Sequence, residues 1–296
     1  MRILLTLAPL ALAALAPAAA LAQTAGQPTT PPAPPVREAG APRETVFDDT
    51  YVTLGVGLAA VPRYEGSDAY RLFPTPLLQG RIAGFDFSAP GPGIALDLVR
   101  EAPGASHNLI LGPTVRARFD RRDGFGDARI RALGDKPVAI EAGVQLGYEW
   151  QGVAKRGDAV SIGVDVTQDV AGGHGGLQIA PSIGWRQPIG RATFAVASAS
   201  ATWASGDYMR TYFSIDAAGS AASGLPQFNA GKGFKDVGAG VILAHDLDGN
   251  PLNGGWSLFG IARYTRLLND AADSPVTAIA GDADQAFISA GVAFTF

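Results

Sequence analysis

The chain has 296 residues, a formal net charge of −4, 38 glycines and no cysteine, yet 47% of it is hydrophobic. Absence of cysteine rules out a disulfide framework and thiolate metal sites, and mild acidity with no Lys/Arg stripe among aromatics argues against a nucleic-acid partner. A disordered chain would lack the apolar content, and no segment beyond the N-terminus approaches the ~18 consecutive apolar residues of a membrane helix.

Residues 1–22 follow an export pattern. Arg2 gives a positive start, Ile3 to Leu15 are mostly apolar, and Ala20-Leu21-Ala22 is a small-x-small site that predicts cleavage between Ala22 and Gln23. Residues 23–47 read as a periplasmic linker, because Pro28, Pro31, Pro32, Pro34, Pro35 and Pro42 fall among few large apolar side chains.

From Tyr51 the chain alternates. Val52, Leu54, Val56 and Leu58 share one face of a strand, with Thr53, Gly55, Gly57 and Ala59 on the other. Val138 to Trp150, Val160 to Thr167 and Leu177 to Arg186 repeat the pattern. The alternation alone also fits a soluble sandwich. Three features favour lipid. The strands are long enough to cross a bilayer at a tilt, which takes about 9–11 residues. Tyr148, Trp150, Trp185 and Trp203 fall near strand ends, as an aromatic girdle would. The polar faces carry Arg116, Arg118, Glu141, Glu149 and Asp165, which suit a wet lumen better than a dry core.

The fold class predicted is therefore all-β, an antiparallel transmembrane β-barrel spanning 48–296. Its strands fall near 51–60, 73–82, 84–89, 93–100, 107–119, 138–150, 159–169, 176–187, 191–203, 235–246, 255–266 and 286–296. That makes about 12 strands, with about ten as the alternative because the third and fourth are short. Short periplasmic turns then fall at 84, 101–106, 151–158, 188–190 and 247–254, and long external loops at 61–72, 120–137, 204–234 and 267–285. At the end of the chain, Ile288, Ala290, Val292, Phe294 and Phe296 alternate up to a terminal aromatic. This resembles the signal that the barrel-assembly machinery reads.

Catalytic chemistry finds little support. His107, His174 and His245 form no HExxH or i, i+4 ligand pair, and His174 sits among glycines at 172–176, where a solvated loop histidine is expected. Asp246-Leu247-Asp248-Gly249-Asn250 begins like a calcium loop but continues with Pro251 and has Ser257 where Glu is needed. The apolar strand faces show no histidine that could serve a lipid-cleaving enzyme. No enzyme activity, metal or cofactor is expected. Arg121, Arg122, Arg129 and Arg131 make 120–131 a charged loop, read first as solvated and second as a contact for lipopolysaccharide phosphates.

Several blocks resemble the MltA-interacting protein (MipA)/OmpV family of outer-membrane proteins. They are Pro62 to Asp68 (with Tyr64, Gly66 and Ser67), Phe73-Pro74, Tyr208-Met209 with Thr211-Tyr212-Phe213, and Ala222 to Leu225. The block Asp270-Ala271-Ala272-Asp273-Ser274-Pro275-Val276 is the most specific, and the likeness runs to Phe296. Ser214 departs from the glycine expected after Tyr-Phe. The resemblance implies a barrel without known catalytic activity in the outer-membrane lipid. It also implies a scaffold linking a lytic transglycosylase to a peptidoglycan synthase, while a small-solute channel or a surface adhesion or osmotic-response protein is the alternative. Most motif residues fall in external loops, which could fold inward and plug the barrel, with Asp270, Asp273, Arg63 and Arg71 pairing across the mouth.

Overall fold

The computed structural model describes residues 46–47, 50–89, 91–101, 105–121, 126–155 and 157–296. The expected signal peptide (1–22), its cleavage site at Ala22 and Gln23, and the linker up to Thr45 lie outside the described residues. Among those described, no helix is long and apolar enough to cross a membrane.

Twelve strands, each antiparallel to its neighbours in the chain, close into one barrel. They are β1 (Tyr51–Pro62), β2 (Tyr70–Ile82), β3 (Phe85–Ser88), β4 (Gly93–Asp97), β5 (His107–Arg118), β6 (Ala139–Gln151), β7 (Ala159–Asp169), β8 (Leu177–Ile189), β9 (Thr193–Ala204), β10 (Gly233–Asp246), β11 (Gly255–Leu267) and β12 (Asp284–Thr295). The barrel closes where β1 pairs with β12, Thr53 opposite Thr295 and Ala60 opposite Ile288. The count of about 12 thus stands over ten, with the two short strands present as a half-height hairpin.

The barrel is inside-out relative to a soluble protein. Leu54, Val56, Leu72, Val144, Leu146, Ile183, Leu258 and Ile288 point outward and are exposed, Leu72 by 69%. The intervening Thr53, Arg116, Glu141, Gln145, Glu149, Ser161, Gln178, Arg263 and Gln285 point inward and are buried. On the outer surface Trp150 and Trp185 flank Val160 at the turn end, and Trp256 packs edge-on against Phe294 and Phe294 against Phe296. Of the C-terminal residues, Ile288, Ala290, Val292 and Phe296 are exposed and Phe294 is half-buried, all on this outward face.

Hydrocarbon offers no hydrogen-bond partners, so every backbone group in the wall needs one from the protein. One repair is visible. Leu111 accepts from Leu98, and Ala117 donates to Pro92, so the odd residues of β5 direct their backbone groups at β4. Pro113 is one of them and has no N–H to offer. The carbonyl of Leu96, which would have received it, is taken instead by Gln145 Nε2 from the lumen at 2.9 Å.

The loops at one end are short and those at the other long, the asymmetry of outer-membrane barrels in which the long loops are external. The long loops carry five short helices that alternation could not show: α1 (Ala128–Ala132), α2 (Gly206–Phe213), α3 (Ala217–Ser223), α4 (Asn269–Asp273) and α5 (Pro275–Ala278). Their ends are locally encoded. Asp216 caps α3 by accepting from Gly219 N–H, and Gly224 ends it in the left-handed region. Ser274 caps α5, whose first residue is Pro275.

The lipid face can be tested directly. Leu146→Arg, at mid-height on the outer face of β6, should destabilise the barrel by about 2–4 kcal/mol, whereas Ser198→Asn on the lumen face should cost far less. Denaturant titration of both variants folded into lipid vesicles measures the difference.

Candidate functional site

The long loops fold over the barrel mouth and bury two apolar clusters. Ala204, Tyr208, Met209, Tyr212, Phe213, Ala230, Leu267 and Ala271 form the first. Tyr64, Ile130, Ile215, Leu225, Val276 and Ala280 form the second, so all four long loops contribute to the seal. Burying one such large side chain contributes about 1.5–3 kcal/mol.

Beneath the seal lies a charged network built from strands. The β5–β6 register sets Arg116 opposite Glu141, and Arg118 lies two residues further on the same face. Glu141 is fully buried. It pairs with Arg116 Nε, takes Arg118 Nε at 2.6 Å, and accepts Gln178 Nε2 at 2.7 Å. Arg116 also donates to Thr167 Oγ1 at 2.7 Å. His174 completes the set, with Nε2 3.0 Å from Glu141 Oε1. Its Nδ1 accepts the N–H of Gly176 at 2.9 Å, which assigns the ring proton to Nε2.

This corrects the sequence expectation for His174, which is 5% exposed rather than solvated. The glycines around it do not loosen it, because Asp169 accepts the backbone N–H groups of Ala171, His174 and Gly175. Its ring then packs against Tyr208 at 4.9 Å, joining network to seal.

A second network ties distant loops together. Tyr208 donates its hydroxyl to Glu65 at 2.5 Å, and buried Lys235 pairs with both Glu65 and Asp236. Lys235 reaches this position because the β9–β10 register shifts between Phe234 and Asp236. Tyr64 donates to the Ala280 carbonyl at 2.6 Å, and Ser274 Oγ donates to the Phe213 carbonyl at 2.6 Å. Gly281 is obligatory, since a Cβ there would lie 1.8 Å from the Gly66 carbonyl oxygen. Glu65, Lys235 and Asp236 thus meet at the mouth. Asp270 accepts the Gly231 N–H instead, Asp273 is exposed, and Arg71 lies over Phe73.

The family-motif residues Tyr64, Gly66, Ser67, Tyr212, Phe213, Ala271, Ser274 and Pro275 are all buried in this seal. Ser214 sits at φ −82°, where serine is unstrained, and its Oγ accepts the Ala230 N–H at 2.8 Å. In the charged 120–131 loop, Arg121 is 1% exposed, donates to the Tyr212 carbonyl and lies over the Tyr64 ring. It is a buried strut, which corrects its reading as a solvated or phosphate-binding side chain. Burial lowers its pKa and pushes the Tyr64 hydroxyl up to about 12. Arg129 pairs with Asp127 at 2.6 Å and stays half exposed. Among the described residues, no group of three or more His, Asp or Glu side chains could hold a metal.

A closed antiparallel wall, apolar outside and ion-paired within, defines the chain as a transmembrane barrel of the outer-membrane type. The family model for MltA-interacting protein MipA matches residues 54–296, and the chain belongs to that family. It is 24% identical over 253 residues to the MltA-interacting protein of Escherichia coli (strain K12), covering 82% of this chain and 90% of that protein. The MltA-interacting protein of Shigella flexneri matches to the same extent. Among solved structures, an outer membrane channel from Pseudomonas putida F1 is similar at a TM-score of 0.44 and 13% identity, over 88% of this chain and 100% of that one.

Two outcomes follow. Glu141→Ala strands two buried guanidinium groups and should lower stability by about 3–5 kcal/mol, read from the unfolding midpoint. Tyr64 binds its proton more tightly in the folded chain than in the unfolded one. Its contribution is therefore complete below pH 10 and is lost as pH rises through about 12. Tyr64→Phe should flatten the fall in stability across that window.

Proposed function

We propose that this barrel is a non-enzymatic scaffold of the cell outer membrane. It is exported by a signal peptide cleaved between Ala22 and Gln23, and its turn end engages murein-remodelling enzymes. The observation that carries this reading is the seal. A mouth filled by Tyr208, Tyr212, Phe213 and Ile130, all at most 1% exposed, suits an anchor better than an open pore. Fully buried ion pairs seldom add net stability over apolar packing, but they fix one arrangement of the groups they join.

The turn end is where the chain enters the barrel. Val46 donates to the Leu252 carbonyl at 3.0 Å, the Phe47 carbonyl accepts from Arg81, and the Phe47 ring meets Tyr51 edge-on. Residues 23–45 thus precede a segment anchored at the end that faces the periplasm. The relatives' name, MltA-interacting protein, supports a lytic transglycosylase as first partner, with a peptidoglycan synthase as the second. Barrel-assembly machinery would receive the C-terminal strand, and lipopolysaccharide would surround the long-loop end. The histidines support a non-catalytic reading, since both ring nitrogens of His174 are engaged within the seal.

Deleting 23–45 should weaken retention of a purified lytic transglycosylase several-fold while leaving a silent barrel in planar bilayers. Steady ohmic conductance with no retention of the enzyme would overturn the scaffold in favour of a small-solute channel.

A further inference from the structure

The wall is uneven in a way the seal does not explain. Between most neighbours the pairing runs almost the full strand length, as from Tyr51–Arg81 to Pro62–Tyr70 between β1 and β2. On its other side β2 pairs with β3 only from Gln79–Ser88 to Ile82–Phe85. β3 meets β4 from Asp86–Asp97 to Ser88–Ala95, and β4 meets β5 from Gly93–Arg116 to Ala95–Thr114, with backbone bonds extending this contact to Leu98–Leu111 and Pro92–Ala117. Among the described residues, no strand pairs with 70–77 on the side of β2 that faces β3. Above this stretch the Glu65 N–H reaches Asp120 across the gap, and below it lies the β3–β4 hairpin. Among the described residues the result is a window in the long-loop half of the wall.

The chemistry of its lip is specific. The Leu78 carbonyl accepts from Ala89, so the even residues of β2 direct their backbone groups toward the window. Two of these, Pro74 and Pro76, have no N–H. An edge that lacks two successive donors is a poor template for another strand, so the window does not suit a partner's sheet. The carbonyls of Leu72, Pro74 and Pro76 remain as acceptors on a hydrocarbon-facing edge, where leaving them unmet is costly. Just inside, Arg71 Nε is buried without a hydrogen-bond acceptor. Behind the lip the lumen is locally apolar, where Phe73 and Ile261 pack against Ala59, Val61 and Phe287.

We propose that this window is a lateral portal between bilayer and lumen, and that it admits an uncharged apolar molecule bearing a single hydroxyl-type head. A hydroxyl can donate to the lip carbonyls and accept from Arg71, while the apolar body fits the lining at Phe73 and Phe287. With the mouth sealed, the lateral route leads from the bilayer to that lining. The portal rests on strand register and not on the scaffold reading, so either can fail alone.

The chain has no cysteine, so a single bimane label can be placed at will. Thr75→Cys places it on the lumen face of β2 beside the window, and Ser182→Cys on the lumen face of β8. Both are compared as folded, full-length mature barrels in vesicles. A nitroxide-labelled long-chain alcohol should quench the Thr75 label several-fold more than the Ser182 label. A nitroxide-labelled phospholipid, too bulky to enter, should quench both weakly, and Leu72→Cys strongly. Equal quenching of Thr75 and Ser182 by the alcohol would mean entry by the mouth or none, and would overturn the portal. Quenching of Thr75 by the phospholipid as strong as that of Leu72 would overturn it too, because the side chain would then face the bilayer.

Discussion

A backbone amide in hydrocarbon has nothing to bond to but the protein itself, and the architecture follows from that restriction. Unpaired edges are costly there, so the sheet curls until β1 meets β12. Side chains alternate, so closing the sheet sends one set into lipid and the other into an enclosed interior. The outward set is chosen by the solvent, and Leu54, Val56, Leu146 and Ile288 are what a bilayer accepts. Where the backbone rule is broken, as at Pro113, a lumen side chain repairs it, Gln145 reaching the Leu96 carbonyl.

The interior faces the opposite difficulty. Charges turned away from lipid still have to be satisfied once the loops shut out water. Glu141 is held by two arginines, a glutamine and a histidine, and Lys235 by two carboxylates. These residues come from strands and loops far apart in sequence. Tyr208 touches both sets, with its hydroxyl on Glu65 and its ring against His174. The seal is consequently a property of the whole chain and not of any single loop.

The wall was legible in the sequence because alternation is local. The predicted 159–169 coincides with β7, and 107–119 and 255–266 miss β5 and β11 by one residue each. The predicted 73–82 includes Pro74 and Pro76 but begins three residues after β2 does, although Tyr70 and Leu72 continue its outward face on the same two-residue period. The seal was far less legible. Helices of four to eight residues show no periodic stripe, and only caps such as Asp216 and Ser274-Pro275 could have announced them. The glycines that flank His174 suggest freedom, and nothing local in the sequence shows otherwise. What pins it is Asp169 and Glu141, and Glu141 lies 33 positions away in sequence. Within the motif blocks Tyr64, Gly66, Ser67, Tyr212, Phe213, Ser274 and Pro275 are buried in the seal, while Asp68 and Asp273 stay exposed.

The decisive test is whether the two-residue period separates lipid from lumen. Nitroxide side chains placed singly at Ala197, Ser198, Ala199, Ser200 and Ala201 of β9 can be read by electron paramagnetic resonance, comparing collision with oxygen and with a polar nickel chelate. The account predicts that Ala197, Ala199 and Ala201 favour oxygen, while Ser198 and Ser200 show far less contact with it. A profile without alternation, or the same chelate exposure at all five positions, would contradict it.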